Sequence, residues 1–243
     1  MNYSFLQCGE GALTVHLGDG IDPAINRRVT ALQGAIGSAG LRGITDLIPA
    51  YADLTVCYDC TVISAKALQR QLRRLLDSLS VAGQDRRRVF RLPVCYGGDY
   101  GPDLDFVCHH SGLSAQEVIE LHSAPDYLIY MLGFLPGFAY LGGLAPRLHT
   151  PRLDSPRTCI PAGSVGIGGA QTGVYPLASP GGWQLLGRTP VSVFDRQRQE
   201  PILYRAGDLV HFVPISPAEY EEIARAVAAG TYTVQVEEVS VCD

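Results

Sequence analysis

The residues best suited to binding chemistry lie in an uncharged stretch between Arg157 and Arg188, TCIPAGSVGIGGAQTGVYPLASPGGWQLLG. It contains no Asp, Glu, Lys, Arg or His. Its prolines and glycines prevent it from forming a continuous helix. The polar groups of the stretch belong to its backbone amides and to Ser164, Gln171, Thr172, Tyr175, Trp183 and Gln184. This composition favours holding a small polar ligand or docking a partner over acid–base catalysis by the segment alone.

Glycines are concentrated in the first half of this stretch, PAGSVGIGGAQTG. Successive N–H groups in glycine-rich turns can form a concave anion site, and glycine lets a ligand approach the backbone closely. The order does not match G-x-G-x-x-G, so a dinucleotide site is not predicted. The candidate backbone positions are Gly163, Gly166, Gly168 and Gly169.

Two catalytic alternatives compete with ligand binding. The sequence around Ser164 fits an A-x-S-x-G nucleophile elbow, with His149 and Asp154 as conceivable partners. The elbow requires a helix directly after the serine, and IGGAQTG is a poor helix former. A phosphate loop is the other alternative, but Lys66 is the only lysine, so the chain has no Gly-Lys-Ser/Thr motif.

Arginines and aromatic residues precede the uncharged stretch. A guanidinium can bind a carboxylate or a phosphate through two parallel hydrogen bonds, which makes Arg152 and Arg157 candidate anion ligands. The motif GFLPGFAYLGGL contributes Phe134, Phe138 and Tyr140, which, with Trp183, are candidate pocket walls. The alternative for this motif is a packed loop of a barrel.

The seven cysteines do not have the spacing of a disulfide framework, so reduced thiols are predicted. The one CxxC motif, Cys57 to Cys60, lacks a second pair of ligands, so no metal site is predicted. The histidines His109, His110 and His122 do not have metal-ligand spacing either. A net charge of −5 argues against nucleic-acid binding. No signal peptide and no apolar run long enough to span a membrane is evident, so we expect a cytoplasmic protein without a membrane partner.

The periodicities predict an α+β protein with two domains. Strands are predicted over 2–7, 11–17, 44–50, 53–58 and 87–96, and helices over 22–39 and 64–80, which gives a small α/β sandwich over residues 1–96. A turn-rich boundary, YGGDYGP, precedes the second domain, residues 97–243. There, short strands interrupted by Gly and Pro predict a barrel or sandwich, with a capped helix after Ser216 and a final strand over 231–236.

These motifs resemble those of the family of 5-oxoprolinase B subunits, also called allophanate hydrolase subunit 1, which includes an inhibitor of a sporulation sensor kinase. The resemblance covers nearly the whole chain and rests mainly on GFLPGFAYLGGL, LHTPR, IPAGSVGIGGAQTGVYPLASPGGWQLLGRTP and PILYRAGDLVHFVP. It implies that the second domain is a cyclophilin-like β-barrel. It also implies a tight complex with the C subunit of 5-oxoprolinase and joint action with the A subunit, opening 5-oxoproline to glutamate with ATP hydrolysis.

The roles of individual residues are a hypothesis drawn from their chemistry and from that of the substrate that the resemblance implies. Arg152 or Arg157 would pair with a substrate carboxylate or phosphate, and Ser164, Gln171, Thr172 and Tyr175 would hydrogen-bond the lactam amide. Charged catalytic groups would come from the partner subunit, whereas ATP, with any Mg²⁺, would belong to the complex without assignment to one of its chains. This chain would be inactive alone.

Two other functions are compatible with the same motifs. The first is a regulatory protein that inhibits a sensor histidine kinase through the barrel. The second is the carboxyltransferase-like part of urea or allophanate metabolism, although the chain has no Met-Lys-Met biotin-attachment motif.

Overall fold

The computed structural model describes residues 3–79 and 86–240, which fall into two compact units. In the N-terminal unit (residues 3–79), four strands form an antiparallel sheet in the order β1-β2-β4-β3. The strands and helices are, in chain order, β1 (Ser4–Cys8), β2 (Ala12–His16), α1 (Pro23–Ala39), β3 (Ile44–Pro49), β4 (Asp53–Tyr58) and α2 (Ala65–Asp77).

Both helices pack against one face of this sheet, which makes the unit a two-layer α/β sandwich. The apolar stripes of α1 and α2 meet alternate residues of β2 and β4 in a single core. Asp22 caps α1 by accepting from the N–H of Ala24, and Ser64 caps α2 by accepting from Ala67. The predicted elements of this unit are confirmed, with ends that differ by a few residues.

The C-terminal unit (residues 86–240) is built on one large sheet in the order β10-β9-β12-β5-β13-β6-β7, with β14 also paired to β5. Its outermost strands β7 and β10 approach within 8 Å between Cα atoms, so the sheet curls into a nearly closed barrel. A separate pair joins β8 to β11. The strands are β5 (Arg86–Tyr96), β6 (Tyr127–Leu132), β7 (Ala139–Gly142), β8 (Arg157–Ile160), β9 (Ser164–Gly168), β10 (Gln171–Val174), β11 (Ser179–Gly181), β12 (Gln184–Arg188), β13 (Leu209–Ile215) and β14 (Gln235–Ser240).

Three helices accompany the barrel: α3 (Leu104–Ser111), α4 (Ala115–Ser123) and α5 (Pro217–Ala228). Capping boxes start α4, between Ser114 and Glu117, and α5, between Ser216 and Glu219. The sequence signatures of both capping boxes are therefore confirmed. The predicted α+β class, a small sandwich followed by a barrel, is the architecture observed.

Two details differ from the sequence expectations. The sequence places strand β5 at the end of the first domain, before residue 97, but this strand lies inside the barrel sheet, between β13 on one side and β12 and β14 on the other. Among the described residues, the second unit therefore begins with Arg86. The last strand covers 235–240 instead of 231–236, because this is the segment that pairs antiparallel with β5, from Gln235 opposite Arg91 to Ser240 opposite Arg86. The carboxylate of Glu237 also accepts two hydrogen bonds from the guanidinium of Arg91, at 2.8 and 2.9 Å.

Candidate functional site: an aromatic pocket with one arginine

A pocket of about 150 Å³ opens on the C-terminal unit. It has room for several waters or one small organic molecule. Side chains and backbone from four regions line it: the turn before β7, the segment before β8, the end of β10, and β11 with its exit. The lining residues are Phe134, Phe138, Tyr140, Arg152, Tyr175, Pro180, Gly181, Gly182 and Trp183.

Aromatic rings form the walls of the pocket and stiffen one another. Phe138 makes edge-to-face contacts with Phe134, Tyr140, Tyr175 and Trp183, at centroid distances of 5.2–5.6 Å. Tyr175 and Trp183 are also edge to face, at 5.9 Å. These geometries are the favoured ones for aromatic pairs, so the walls are rigid and apolar.

The indole of Trp183 fits against the sheet because glycines face it. A Cβ atom on Gly168 would overlap the indole, with its Nε1 atom the nearest, and one on Gly173 would lie 3.2 Å from the ring. Gly166 similarly makes room for the carbonyl oxygen of Gln184, which a Cβ would approach to 2.7 Å. The structure thus places Gly166 and Gly168 in β9, between β10 and β12, where their missing side chains allow close packing.

Arg152 supplies the positive charge of the pocket. Its side chain is exposed and lines the cavity, and it has no hydrogen-bond or ion-pair partner within residues 3–79 and 86–240. Burial raises the pKa of the neighbouring Tyr175, although the positive charges of Arg152 and Arg157 oppose that shift. The phenol therefore stays protonated at neutral pH and can donate a hydrogen bond.

Arg157 is engaged with protein groups. One Nη donates to Asp103 Oδ1 at 2.7 Å and the other to the carbonyl oxygen of Trp183 at 3.3 Å. The second carboxylate oxygen of Asp103 accepts from the backbone N–H of Leu185 at 2.7 Å. Arg157 and Asp103 therefore hold the chain on both sides of Gln184, immediately after the indole wall, and Arg157 is not among the lining residues.

Three polar residues predicted for the site, Ser164, Gln171 and Thr172, lie in β9 and β10 outside the pocket lining. Ser164 and Thr172 are buried. Thr172 donates to the carbonyl oxygen of Gly166 at 3.1 Å, so its hydroxyl accepts from His122 Nε2 at 2.7 Å.

His122 completes this buried chain of hydrogen bonds. With its proton on Nε2, its Nδ1 accepts from the hydroxyl of Tyr96 at 2.8 Å. Complete burial lowers the pKa of His122 to about 3, so the ring is neutral in the folded protein. The network is a satisfied polar core of the barrel.

The structure adds three lining residues that sequence reasoning missed: Pro180, Gly181 and Gly182. They directly precede Trp183 in the uncharged stretch, so their proximity to this residue was the available signal. Gly163 at φ 82° and Gly169 at φ 68° occupy turns around β9, where left-handed backbone favours glycine. Neither lines the pocket.

The pocket is built for binding. Its lining contains no carboxylate, histidine, lysine or cysteine that could transfer a proton or attack a substrate at neutral pH. Within the described parts of the chain, no group of three or more His, Cys, Asp or Glu residues could hold a metal ion. Among the helices described, none is long and apolar enough to cross a membrane.

Comparison with known proteins defines the class. The model of the family "Carboxyltransferase domain, subdomain C and D" matches residues 3–204. In the solved structure of Kluyveromyces lactis urea carboxylase, a region with the same fold superposes with a TM-score of 0.82 at 23% identity, covering 97% of this chain and 24% of that one.

Curated relatives narrow the relationship. A protein of Bacillus subtilis (strain 168) named as the B subunit of 5-oxoprolinase is 42% identical over 230 residues, which is 90% of this chain and 96% of the relative. A protein of Escherichia coli O157:H7 with the same name is 46% identical over 207 residues, or 85% and 93% of the two chains. The chain therefore belongs to the family of 5-oxoprolinase B subunits, within the carboxyltransferase C and D domains.

Proposed function

We propose that this chain is the B subunit of an ATP-dependent 5-oxoprolinase, and that its aromatic pocket binds 5-oxo-L-proline for conversion to L-glutamate. The observation that carries the proposal is Arg152, an arginine without a protein partner in the described parts of the chain, at the mouth of a small aromatic pocket in a member of this family. A cation beside apolar walls complements a small ring that bears one carboxylate.

The chemistry of the substrate fits each part of the pocket. 5-Oxoproline is a five-membered lactam, whose nearly planar ring can pack between aromatic faces such as Phe138 and Trp183. Its carboxylate pairs with the guanidinium of Arg152, which presents two parallel N–H donors. The hydroxyl of Tyr175 stays protonated and donates to the lactam carbonyl oxygen. Ser164, Gln171 and Thr172 lie outside the pocket lining, in β9 and β10, so the proposal gives them no direct contact with the substrate.

The pocket alone does not carry out the reaction. Opening a stable lactam requires activation of its carbonyl, and we place ATP, with any Mg²⁺, and the acid–base groups on the C and A subunits of the complex. Three observations support this division: the lining has no acid or base, Lys66 is the only lysine, and the relatives are named as one subunit of an enzyme. The chain has no biotin-attachment motif, so biotin has no role in the proposal.

The test is ATP-dependent formation of glutamate from 5-oxoproline by this chain co-purified with the A and C subunits. Arg152→Gln removes the proposed carboxylate ligand. Hydrogen bonds to charged groups contribute about 1.5–3 kcal/mol, so we expect KM to rise about 10- to 150-fold. Arg147→Gln is the matched control, because Arg147 is an exposed arginine five positions earlier in the chain and does not line the pocket.

A rise in KM for Arg152→Gln, with Arg147→Gln like the wild type, supports the proposal. Equal KM values for the wild type and Arg152→Gln would remove Arg152 from the substrate site.

A further inference from the structure

The most unusual backbone conformation in the described residues belongs to Phe134, on the rim of the pocket. It is the one non-glycine residue described with a positive φ, at 66°. The N–H of Leu135 donates to the carbonyl oxygen of Gly133 at 2.8 Å across it. This is a γ-turn of the rare, strained form, which no ordinary loop requires.

The strained turn is held firmly from both sides. The N–H of Gly133 donates to the carbonyl oxygen of Phe138 at 3.1 Å, and the N–H of Phe138 donates to the carbonyl oxygen of Leu135 at 3.0 Å. The buried hydroxyl of Tyr204 donates to the carbonyl oxygen of Gly137 at 2.9 Å. A strained conformation persists only where its surroundings fix it in this way, and such residues cluster at ligand-binding sites.

The strain is not compensated by burial of the side chain. The ring of Phe134 is 67% exposed and has one aromatic neighbour among the described residues, Phe138, at 5.6 Å. A large apolar side chain held in solvent by a strained backbone gains little for the folded chain alone. It also lines the pocket, together with Phe138, Tyr175 and Trp183.

We propose that Phe134 is a substrate-contacting, specificity-determining residue, whose strained turn fixes its ring as the outer wall of the pocket for a compact, flat lactam ring. This inference rests on the proposed function of the pocket and adds to it a fixed aromatic lip. The substrate ring buries the exposed face of Phe134, and the turn holds that face in place before the substrate arrives.

A pair of variants separates the ring from the strain. Phe134→Ala removes the ring and retains a Cβ at positive φ, whereas Phe134→Gly removes both. Glycine in an unstrained position is less stable than alanine, but at this φ the order reverses. We expect the Gly variant to unfold about 2–4 °C above the Ala variant. Phe134→Tyr keeps the ring and the strain.

The enzymatic readout uses the complex with the A and C subunits. Losing one aromatic contact should raise KM for 5-oxoproline about 3- to 10-fold in the Ala and Gly variants, with Phe134→Tyr close to the wild type. An inactive wild-type complex would refute the proposed function, and with it this inference. An active complex with unchanged KM in the Ala variant would overturn the role of Phe134 alone.

Two further outcomes would also overturn it. If Phe134→Ala no longer co-purified with the C subunit, Phe134 would be an interface residue and not a substrate contact. If the Ala variant were more stable than the Gly variant, the backbone would not be strained.

Discussion

The bridge between Asp103 and Arg157 allows a quantitative prediction about how the pocket wall is held. Replacing Asp103 with Asn changes one oxygen to an amide nitrogen and removes the negative charge. The Asn oxygen can still accept from the N–H of Leu185, but the amide nitrogen then faces the guanidinium of Arg157 as a second donor. The variant therefore loses the ion pair and keeps the backbone bond.

The magnitude follows from the geometry. The carboxylate of Asp103 is 12% exposed and the side chain of Arg157 is 30% exposed, with 2.7 Å between donor and acceptor. A charge-assisted hydrogen bond in such surroundings contributes about 1.5–3 kcal/mol, so we expect Asp103→Asn to lower the free energy of unfolding by about 2–3 kcal/mol. Arg157→Gln should cost a similar amount. The two residues form one ion pair, so removing the second partner should cost little once the first is lost. The double variant should therefore be less stable than each single variant by at most about 1 kcal/mol.

The assay is urea unfolding followed by tryptophan fluorescence. Trp183 is the only tryptophan of the chain and lies beside this bridge, so its signal reports the C-terminal unit. Asp105→Asn is the matched control, since Asp105 is exposed in the first turn of α3, which begins directly after Asp103. The reasoning would be refuted if Asp103→Asn were as stable as this control, or if the losses from Asp103→Asn and Arg157→Gln simply added.

Two further predictions concern glycine packing and pH. Gly168→Ala places a methyl group against the indole of Trp183 and should lower the free energy of unfolding by about 1–3 kcal/mol. Gly34 in α1 has open space around it, so Gly34→Ala should raise the free energy of unfolding by about 0.5–1 kcal/mol. Calorimetry that showed a change of the same sign for both variants would contradict this packing argument. His122 has a pKa of about 3 when folded and about 6.5 when unfolded, so the unfolded state binds more protons between these values and stability falls as pH falls from about 6.5. The pH dependence should be steeper in the wild type than in His122→Gln by up to about 1.4 kcal/mol per pH unit, and equal slopes would show that the imidazole is protonated in the fold.

Local patterns predicted local structure well. The apolar stripe of α2 and the capping signatures at Ser114 and Ser216 depend on residues within a few positions of one another, so the sequence displays them directly. The aromatic motif GFLPGFAYLGGL and Trp183 stand out as candidate pocket walls for the same reason, because each is a short run or a single residue of the sequence. Their actual convergence with Arg152 in one pocket is a tertiary result, which composition suggested but could not establish.

Long-range pairing explains what the sequence did not reveal. Strand β5 reads as a strand, but its partners β13 and β14 lie more than 100 residues later, so its domain could not be read locally. Asp103 lies 54 residues before Arg157, and nothing in either segment indicates the bridge. Gly168 likewise faces an indole fifteen positions further along the chain, where the local sequence had suggested an anion site.

We propose that this chain contributes the substrate pocket to a 5-oxoprolinase whose catalytic groups lie on partner subunits. The most direct measurement is ATP-dependent conversion of 5-oxoproline to glutamate by the complex of this chain with the A and C subunits, repeated with each of the three omitted in turn. We predict turnover only when all three are present, and a loss of apparent affinity with Arg152→Gln. Turnover that persisted without this chain would contradict the claim, as would a stable three-chain complex with no activity on 5-oxoproline.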